Sequence, residues 1–261
     1  MKKSYLAVAA ALALGSVVVL AGCSGGKSYS ESTGKQAKEK VLRIGSDISF
    51  PPFEFKEDGK QKGFDIELAE AVSKEMGAKL EVKDITFSDL IPAVKDNKID
   101  AILSGFEGTE ERAKDLSYSD PYLPAGYSVL TTKDSSVKDW DDLKGKVIAT
   151  QTGTTHTAIS VDFGAERVHA FEEKDNVIKA LKEKKVDAIV VDTPVALYYA
   201  KHDDHLVVAG APRISKTGLV FAVKKGNTEL QKEINEALKK VKDNGTYDKI
   251  YKEWFGDQAI K

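Results

Sequence analysis

The apolar run Ile99-Asp-Ala-Ile-Leu103 is followed directly by Ser104-Gly-Phe-Glu-Gly-Thr-Glu-Glu-Arg112. A short apolar run that is closed by Ser-Gly is typical of a buried strand that ends in a tight turn. Thr109, followed by two glutamates, predicts a helix start with Thr109 as the N-cap. Free backbone amides in such a turn, together with the guanidinium of Arg112, suit a carboxylate. An ordinary strand-loop-helix connection with a solvated arginine is the alternative interpretation.

The chain nearly repeats the approach to this turn. The segment Asp96-Asn-Lys-Ile-Asp-Ala-Ile-Leu-Ser-Gly105 is echoed by Glu183-Lys-Lys-Val-Asp-Ala-Ile-Val-Val-Asp192. Each follows an amphipathic helix, and the two strands end in Ser104 and Asp192. Two similar α/β lobes account for the echo, and open α/β sheets bind ligands beyond the carboxyl ends of their strands. We therefore expect Ser104, Arg112 and Asp192 to surround one cleft.

Strand and helix patterns alternate through the rest of the chain, which predicts βαβ units and a parallel sheet. One helix should run from Asp65 to Met76 and stop at Gly77. The turn Gln151-Thr-Gly-Thr-Thr155 lacks the Gly-Lys-Ser/Thr ending of a phosphate loop, but it offers amides and hydroxyls to a carboxylate. Further strands are predicted at residues 41–45, 79–85, 129–132, 147–150, 167–171, 186–191 and 218–223.

The N-terminus has the pattern of a signal peptide. Two lysines precede the charge-free apolar residues 5–20, which are too short to be a typical spanning helix. The tetrapeptide Leu20-Ala-Gly-Cys23 resembles the lipobox of bacterial lipoproteins, which implies cleavage before Cys23, a diacylglycerol thioether on its sulfur and an acylated amine. A plain secretory signal with a chance cysteine is the alternative. Cys23 is the only cysteine, so no intramolecular disulfide can form.

Composition excludes several classes of function. Removing residues 1–22 takes away two lysines and no acid, so the formal net charge goes from −2 to −4. Charged residues of both signs make up 31% of the chain, which indicates a soluble protein without a nucleic-acid footprint. The segment His202-Asp-Asp-His205 has no third metal ligand nearby, and no dinucleotide fingerprint occurs. We expect neither a metal nor a cofactor.

Seven stretches together resemble the family 3 solute-binding proteins, the extracytoplasmic receptors of polar-amino-acid ABC importers. The similarity covers residues 41–256 in order. It implies a type II periplasmic-binding-protein fold, in which two α/β lobes are joined by crossover strands near residues 122–126 and 213–217 and close over one ligand. The stretches that carry the resemblance are residues 46–55, 63–67, 99–112, 116–122, 151–155, 186–200 and 244–256.

The resemblance also implies the organisation of the chain into segments. Residues 1–22 would be the lipoprotein signal peptide, and residues 23–40, which are rich in Ser, Gly, Lys and Glu, a flexible tether. The first lobe would be discontinuous, with residues 41–123 and 217–261. Residues 124–216 would form the second lobe.

The family's binding site can be carried over residue by residue. Arg112 would hold the α-carboxylate of a ligand amino acid, and Asp192 its α-ammonium. The other predicted contacts are Ser104 at the cleft, the Gly105 backbone and Thr154 or Thr155 for the carboxylate, Phe50 and Phe87 on the two faces of the side chain, and Asp47 and Gln151 at its polar end. Core packing for the two phenylalanines and a turn cap for Asp47 are the alternatives.

Glu107 departs from the family pattern, because many relatives have Thr or Ser at this position. A carboxylate there would repel the carboxylate of the ligand unless it turns away, pairs with Arg112 or meets a cation. If Glu107 and Asp47 both reach the pocket with Asp192, three acids face one arginine, which would favour a cationic amino acid. The alternative is that Glu107 points to solvent.

The function implied by the resemblance is that of a monomeric substrate-binding lipoprotein. It would capture a free polar amino acid by hinge closure and deliver it to an ABC permease with its ATPase subunits. The lipid on Cys23 would anchor it outside the cytoplasm. The alternatives are an enzyme similar to cyclohexadienyl dehydratases, which share this fold, and an amino-acid sensor without transport. We expect no enzymatic activity, since no Ser/His/Asp order or His-Glu-x-x-His site is present.

Overall fold

The computed structural model of the protein describes residues 39–256. The predicted signal peptide, Cys23 and the predicted tether up to residue 38 lie outside the described residues, as do residues 257–261. Among the described helices, none combines the length and the apolar character that a membrane crossing requires.

A first sheet contains five strands in the order β4 (Lys79–Asp84), β1 (Val41–Ser46), β5 (Ala101–Ile102), β12 (Ala222–Lys224) and β6 (Leu116–Tyr118). β1 lies parallel to β4 and to β5, whereas β12 runs antiparallel to both β5 and β6. The accompanying helices are α1 (Phe64–Glu75), α2 (Leu90–Lys95), α6 (Thr228–Asp243) and α7 (Thr246–Phe255), and a small hairpin joins β2 (Phe55–Glu57) to β3 (Lys60–Lys62).

A second sheet has the order β11 (Leu206–Leu219), β7 (Leu123–Thr132), β10 (Ala188–Asp192), β8 (Val147–Gln151) and β9 (Arg167–Phe171). β8 lies parallel to both β9 and β10, so these three strands end at the same edge of the sheet. β7 is antiparallel to β10 and to β11. The helices of this part are α3 (His156–Asp162), α4 (Lys174–Lys182) and α5 (Thr193–His202).

The chain passes between the two sheets twice. It leaves the first sheet after β6 and returns to it at β12, while the connecting strands β7 and β11 pair with each other at Leu123 and Leu219. The predicted fold class, two α/β lobes joined by two strands, is confirmed. The exact limits of the lobes remain a prediction.

Apolar periodicity explains how the helices and central strands are buried. In α6 the residues Ile234, Ala237, Leu238 and Val241 recur at the spacing of one helical face, and all four are buried. β10 is buried along its whole length, as expected for a strand between two neighbours that is covered by helices. The four residues of α6 belong to the largest apolar core cluster, as do Ile189 and Val191 of β10. Ala188 and Val190 of β10 belong to another core cluster.

Two local predictions were wrong. Thr109 does accept a hydrogen bond of 3.2 Å from the backbone N–H of Arg112, but only a short 3-10 turn, Arg112–Lys114, follows it. Residues 110–115 contain no apolar stripe that could be buried by a longer helix. The predicted strand 218–223 is divided, because β11 ends at Leu219 and β12 begins at Ala222, where the chain crosses between the sheets.

Candidate ligand-binding site

The carboxyl ends of strands from both sheets meet at one pocket, as the sequence predicts. All eleven predicted site residues line this pocket, and Glu54 and His156 line it as well. The structure brings together Asp47, Phe50, Phe87, Ser104, Gly105, Glu107 and Arg112 from one side and Gln151, Thr154, Thr155 and Asp192 from the other. Their ligand contacts remain predictions.

Arg112 connects the two sides of the pocket. Its Nη1 donates a hydrogen bond of 2.8 Å to the backbone oxygen of Glu107, and its Nη2 one of 2.9 Å to the backbone oxygen of Gly153. The guanidinium carbon lies 4.2 Å from the ring centroid of Phe106 and 5.6 Å from that of Phe87. Burial lowers the pKa of Arg112, but an arginine remains charged in proteins. The pocket therefore holds a fixed positive charge that two aromatic faces orient.

Asp47 and Gln151 bond to each other. The Nε2 of Gln151 donates a hydrogen bond of 2.6 Å to Oδ2 of Asp47. The hydroxyl of Ser49 donates to Oδ1 of Asp47 at 2.6 Å, and the backbone N–H of Phe87 donates to Oδ2 at 3.3 Å. The two residues that were predicted to meet the polar end of a ligand thus lie in direct contact across the pocket.

Asp192 is the predicted partner of a ligand ammonium, and it is only 6% exposed. Its Oδ2 lies 3.3 Å from Nε2 of His156, the first residue of α3. The ring of His156 makes an edge contact with that of Tyr127, with 5.7 Å between the ring centroids. Since a buried carboxylate requires polar or charged partners, Asp192 is well placed to accept hydrogen bonds from an ammonium.

The backbone amide of Gly105 is engaged within the protein. It donates a hydrogen bond of 2.7 Å to Oδ2 of Asp65, which also accepts one of 2.9 Å from the hydroxyl of Tyr122. The hydroxyl of Ser104 donates to Oε1 of Glu54 at 2.9 Å and accepts from the backbone N–H of Asp47 at 3.0 Å. The amide that was predicted to help hold a ligand carboxylate therefore donates to Asp65 in this structure.

Glu54 and Asp65 form a buried carboxyl pair behind the pocket. Burial raises the pKa of Asp65 to about 7 and that of Glu54 well above its ordinary value. Oε2 of Glu54 and Oδ1 of Asp65 are buried without a hydrogen-bond partner within residues 39–256, and the interaction with Glu54 lowers the pKa of Asp65. Because two ionised carboxylates cannot donate to each other, we interpret the pair as sharing a proton.

Glu107 turns away from the guanidinium of Arg112 and towards hydroxyl groups on β7 and β11. It accepts hydrogen bonds from Tyr127 at 2.5 Å, from Ser215 at 2.7 Å and from Thr217. Burial alone would raise the pKa of Glu107, but hydrogen bonds from these three hydroxyls and from that of Thr155 hold it below its ordinary value. With a side chain that is only 6% exposed, the alternative in which Glu107 points to solvent was wrong.

Sequence reasoning missed Lys174, which is the first residue of α4 and only 4% exposed. Its Nζ lies over the ring of Phe50, 2.6 Å from the centroid. Burial lowers the pKa of Lys174 to about 7, although Asp47, Asp192 and Glu54 act in the opposite direction. The rule that ligands bind beyond the carboxyl ends of the strands could have indicated Lys174. It follows β9, which ends at the same edge of the second sheet as β8 and β10.

Glu54 and His156 were missed for a related reason. Glu54 lies in a loop shortly after Phe50, and His156 directly follows Thr155 at the start of the short helix α3. Neither segment has a periodicity that indicates which side chains face inwards. His202 does not line this pocket. Its ring stacks on that of Tyr198, with 4.2 Å between the ring centroids. Within the described part of the chain, no group of three or more His, Cys, Asp or Glu residues could hold a metal ion.

Comparisons with known proteins agree with this architecture. Residues 42–257 match the family model described as bacterial extracellular solute-binding proteins, family 3. The arginine-binding extracellular protein ArtP of Bacillus subtilis (strain 168) is 34% identical over 231 residues, which cover 87% of this chain and 90% of ArtP. The ABC transporter glutamine-binding protein GlnH of the same organism is 33% identical over 268 residues, covering 97% of each chain.

A solved structure of an ancestral arginine-binding protein bound to glutamine is similar throughout its length. Its TM-score is 0.80 and its sequence identity 40%, and the match covers 84% of this chain and 100% of that chain. The family match extends over both sheets and over every residue that lines the pocket between them. On these grounds the chain belongs to the bacterial extracellular solute-binding proteins of family 3.

Proposed function

We propose that the protein captures a free polar amino acid outside the cytoplasm and delivers it to the permease and ATPase subunits of an ABC importer. One observation carries this proposal: Arg112, in the turn between β5 and β6, and Asp192, at the end of β10, line the same pocket. A guanidinium and a carboxylate on opposite sides of one pocket suit the two charged ends of a zwitterion. The relatives named for arginine and glutamine support the same class of ligand.

Closure follows from the placement of the two charges. Arg112 comes from the part of the chain that carries the first sheet, and Asp192 with Thr154 from the second. A ligand can be held by all three side chains together only when the cleft is shut, so its affinity for the closed form drives the movement. We propose residues 41–123 and 217–261 as one lobe and residues 124–216 as the other.

The attachment to the membrane is a separate part of the proposal. The tetrapeptide Leu20-Ala-Gly-Cys23 follows a charge-free apolar segment, which supports lipidation of Cys23 after cleavage of residues 1–22. Residues 23–40 would then tether a monomeric receptor to the outer face of the cell membrane.

The test of amino-acid capture is a thermal-shift screen of the amino acids. A ligand at about 1,000 times its Kd stabilises a protein that binds it only when folded by roughly 4 kcal/mol. We expect a few polar amino acids to raise Tm clearly in the wild type and none to do so in Arg112→Ala. If no amino acid moves the Tm of the wild type, the proposed function is wrong.

The proposal also holds that the protein binds without catalysing a reaction. Incubation with prephenate or arogenate, followed by detection of an aromatic product, tests this point. A product formed by the wild type and lost in Arg112→Ala would instead support the enzyme.

A further inference from the structure

We propose that Lys174 is a specificity-determining residue, which excludes cationic side chains from the pocket and selects amino acids whose side chain ends in an amide. This inference rests on the proposed function, since it concerns the ligand of the same pocket. Lys174 lines a cavity that adjoins the pocket and shares Gln151 and His156 with it. The nitrogen of Lys174 lies over the ring of Phe50, which was predicted to contact the side chain of the ligand.

The first step of the argument is the surroundings of Phe50. The ring of Phe53 stacks against Phe50, with 5.8 Å between the centroids and 17° between the planes. Nζ of Lys174 lies 2.6 Å from the centroid of Phe50. An ammonium on an aromatic face makes a favourable cation–π contact. The ring that was predicted to contact the side chain of the ligand is therefore already in contact with a cation of the protein itself.

The second step concerns the hydrogen-bonding capacity of Lys174. An ammonium has three N–H donors and no acceptor. Within residues 39–256, Lys174 makes neither an ion pair within 4.0 Å nor a side-chain hydrogen bond, and its polar contact is the one with Phe50. A buried ammonium without an acceptor is costly. A ligand oxygen beside Phe50 would supply the missing acceptor.

The third step is the charge balance of the acidic residues. Glu107 accepts hydrogen bonds from three hydroxyls, and Glu54 accepts one from Ser104 and shares a proton with Asp65, so the oxygens of both side chains are already engaged within the protein. Asp192 is assigned to the α-ammonium. Of the acids that line the pocket, Asp47 alone then faces the side-chain end, where Lys174 already balances it. A second cation would meet like charge, which is unfavourable.

The fourth step distinguishes an amide from a carboxylate. A side-chain amide has an oxygen that can accept from Lys174 and an NH₂ group that can donate to Asp47. A side-chain carboxylate would also suit Lys174, but it would be repelled by Asp47. Of the amino acids for which ArtP and GlnH are named, arginine and glutamine, the geometry favours glutamine.

Protonation of Lys174 gives the inference a second observable. Burial lowers the pKa of Lys174 to about 7, so the ammonium loses its charge as the pH rises through this value. The charged groups that act on it are Asp47 after β1, Glu54 beyond Phe50 and Asp192 at the end of β10. The other titratable groups that line the same cavity are His156 in α3 and Tyr199 in α5. Arginine should bind better relative to glutamine at pH 8 than at pH 6. The change should be absent in Lys174→Met, which distinguishes Lys174 from His156.

The test is calorimetric measurement of Kd for glutamine and arginine with the full chain. We expect the wild type to prefer glutamine at pH 6 by roughly tenfold or more, a difference of about 1.4 kcal/mol. Lys174→Met should reduce this preference at least several-fold, and Lys174→Arg, which keeps the charge, should retain it. Lys179→Met changes an exposed lysine of the same helix and should behave as the wild type.

The outcomes separate the two proposals. A wild type that prefers arginine, or a glutamine-to-arginine ratio that is unchanged in folded Lys174→Met, overturns the role of Lys174 while amino-acid capture stands. A wild type that binds no amino acid at all overturns the proposed function, and the inference with it. The melting temperature of each variant without ligand establishes that it is folded.

Discussion

Asp47 and Gln151 join the two sheets through a single hydrogen bond of 2.6 Å between a carboxylate oxygen and a side-chain amide. Asp47 directly follows β1, and Gln151 is the last residue of β8. Two strand exits that lie far apart in the chain therefore meet at the pocket. A ligand whose polar end reaches these two residues, as predicted, would either join this bond or replace it.

Removing the Gln151 amide should weaken ligand binding. A hydrogen bond to a charged group contributes about 1.5–3 kcal/mol, so we expect Gln151→Ala to raise Kd by roughly tenfold or more. Thr152→Ala, at the neighbouring position, is the matched control and should bind normally. Calorimetry with the amino acid found in the thermal-shift screen measures both. Equal affinities in the two variants would show that the bond is not used in the bound state.

The opposite charges at the two ends of the pocket should be essential. Arg112→Ala and Asp192→Ala should each cost roughly 2–5 kcal/mol of affinity or more, because each leaves one charge of the ligand without its partner. The melting temperature without ligand should change far less than the affinity. Arg167→Ala removes an exposed arginine at the start of β9 and serves as the control. Near-normal affinity in Arg112→Ala would mean that the carboxylate of the ligand is held elsewhere.

Glu107 should matter for stability and closure more than for direct contact with the ligand. The pKa of Glu107 is below its ordinary value, so its contribution to stability is present above the unfolded-state pKa and is lost as the pH falls through the folded-state pKa. We expect Glu107→Ala to lower Tm by several degrees at pH 7 and by less in acid. Glu110→Ala, at an exposed position, is the control and should leave Tm unchanged at both pH values. If the Tm difference between the wild type and Glu107→Ala is as large in acid as at pH 7, this account is wrong.

The pair formed by Glu54 and Asp65 predicts a pH dependence of the opposite sign. A carboxyl group whose pKa is raised on folding contributes stability that is fully present below its unfolded-state pKa and is lost as the pH rises through the folded-state value. For Asp65 this value is about 7. The free energy of unfolding should therefore fall between about pH 4 and pH 7. Glu54→Gln should flatten this fall, and the exposed Glu57→Gln should not; identical pH profiles in all three proteins would argue against a shared proton.

The lipid anchor can be tested independently of the pocket. We expect the mature wild type to partition into the detergent phase, because two or more acyl chains hold a protein firmly in a membrane. Cys23→Ala should be released into the medium or left unprocessed. Membrane retention of a processed Cys23→Ala protein would show that another part of the chain provides the anchor.

Much of the fold could be predicted because apolar periodicity marks its central elements. The similarity between residues 96–105 and 183–192 predicted two lobes. The polar residues at or shortly after the carboxyl ends of strands predicted that Ser104, Arg112 and Asp192 belong to the site. The parts that could not be predicted lack this pattern. α3 is short and β11 is exposed along much of its length, with a polar stretch that includes Arg213 and Thr217.

The sequence predicted which residues line the pocket, but not which of them form hydrogen bonds with one another. A sequence indicates that Asp47, Gln151 and Glu107 lie near one another, but it cannot show which hydroxyl or amide each carboxylate accepts from. Lys174 escaped notice because a lysine in a charged stretch of helix is usually solvated. Its burial depends on how α4 packs against a loop more than 100 residues earlier in the chain.

The position of β12 between β5 and β6 has a consequence for how the protein is made. All five strands of the second sheet have left the ribosome once Leu219 has emerged. The first sheet cannot be completed until β12, Ala222 to Lys224, has emerged as well, because β12 lies between β6 and β5 and pairs with both. Until then the nascent chain presents unpaired strand edges near its own N-terminal end, which is a hazard for aggregation. The lobe that begins first is thus the one that finishes folding last.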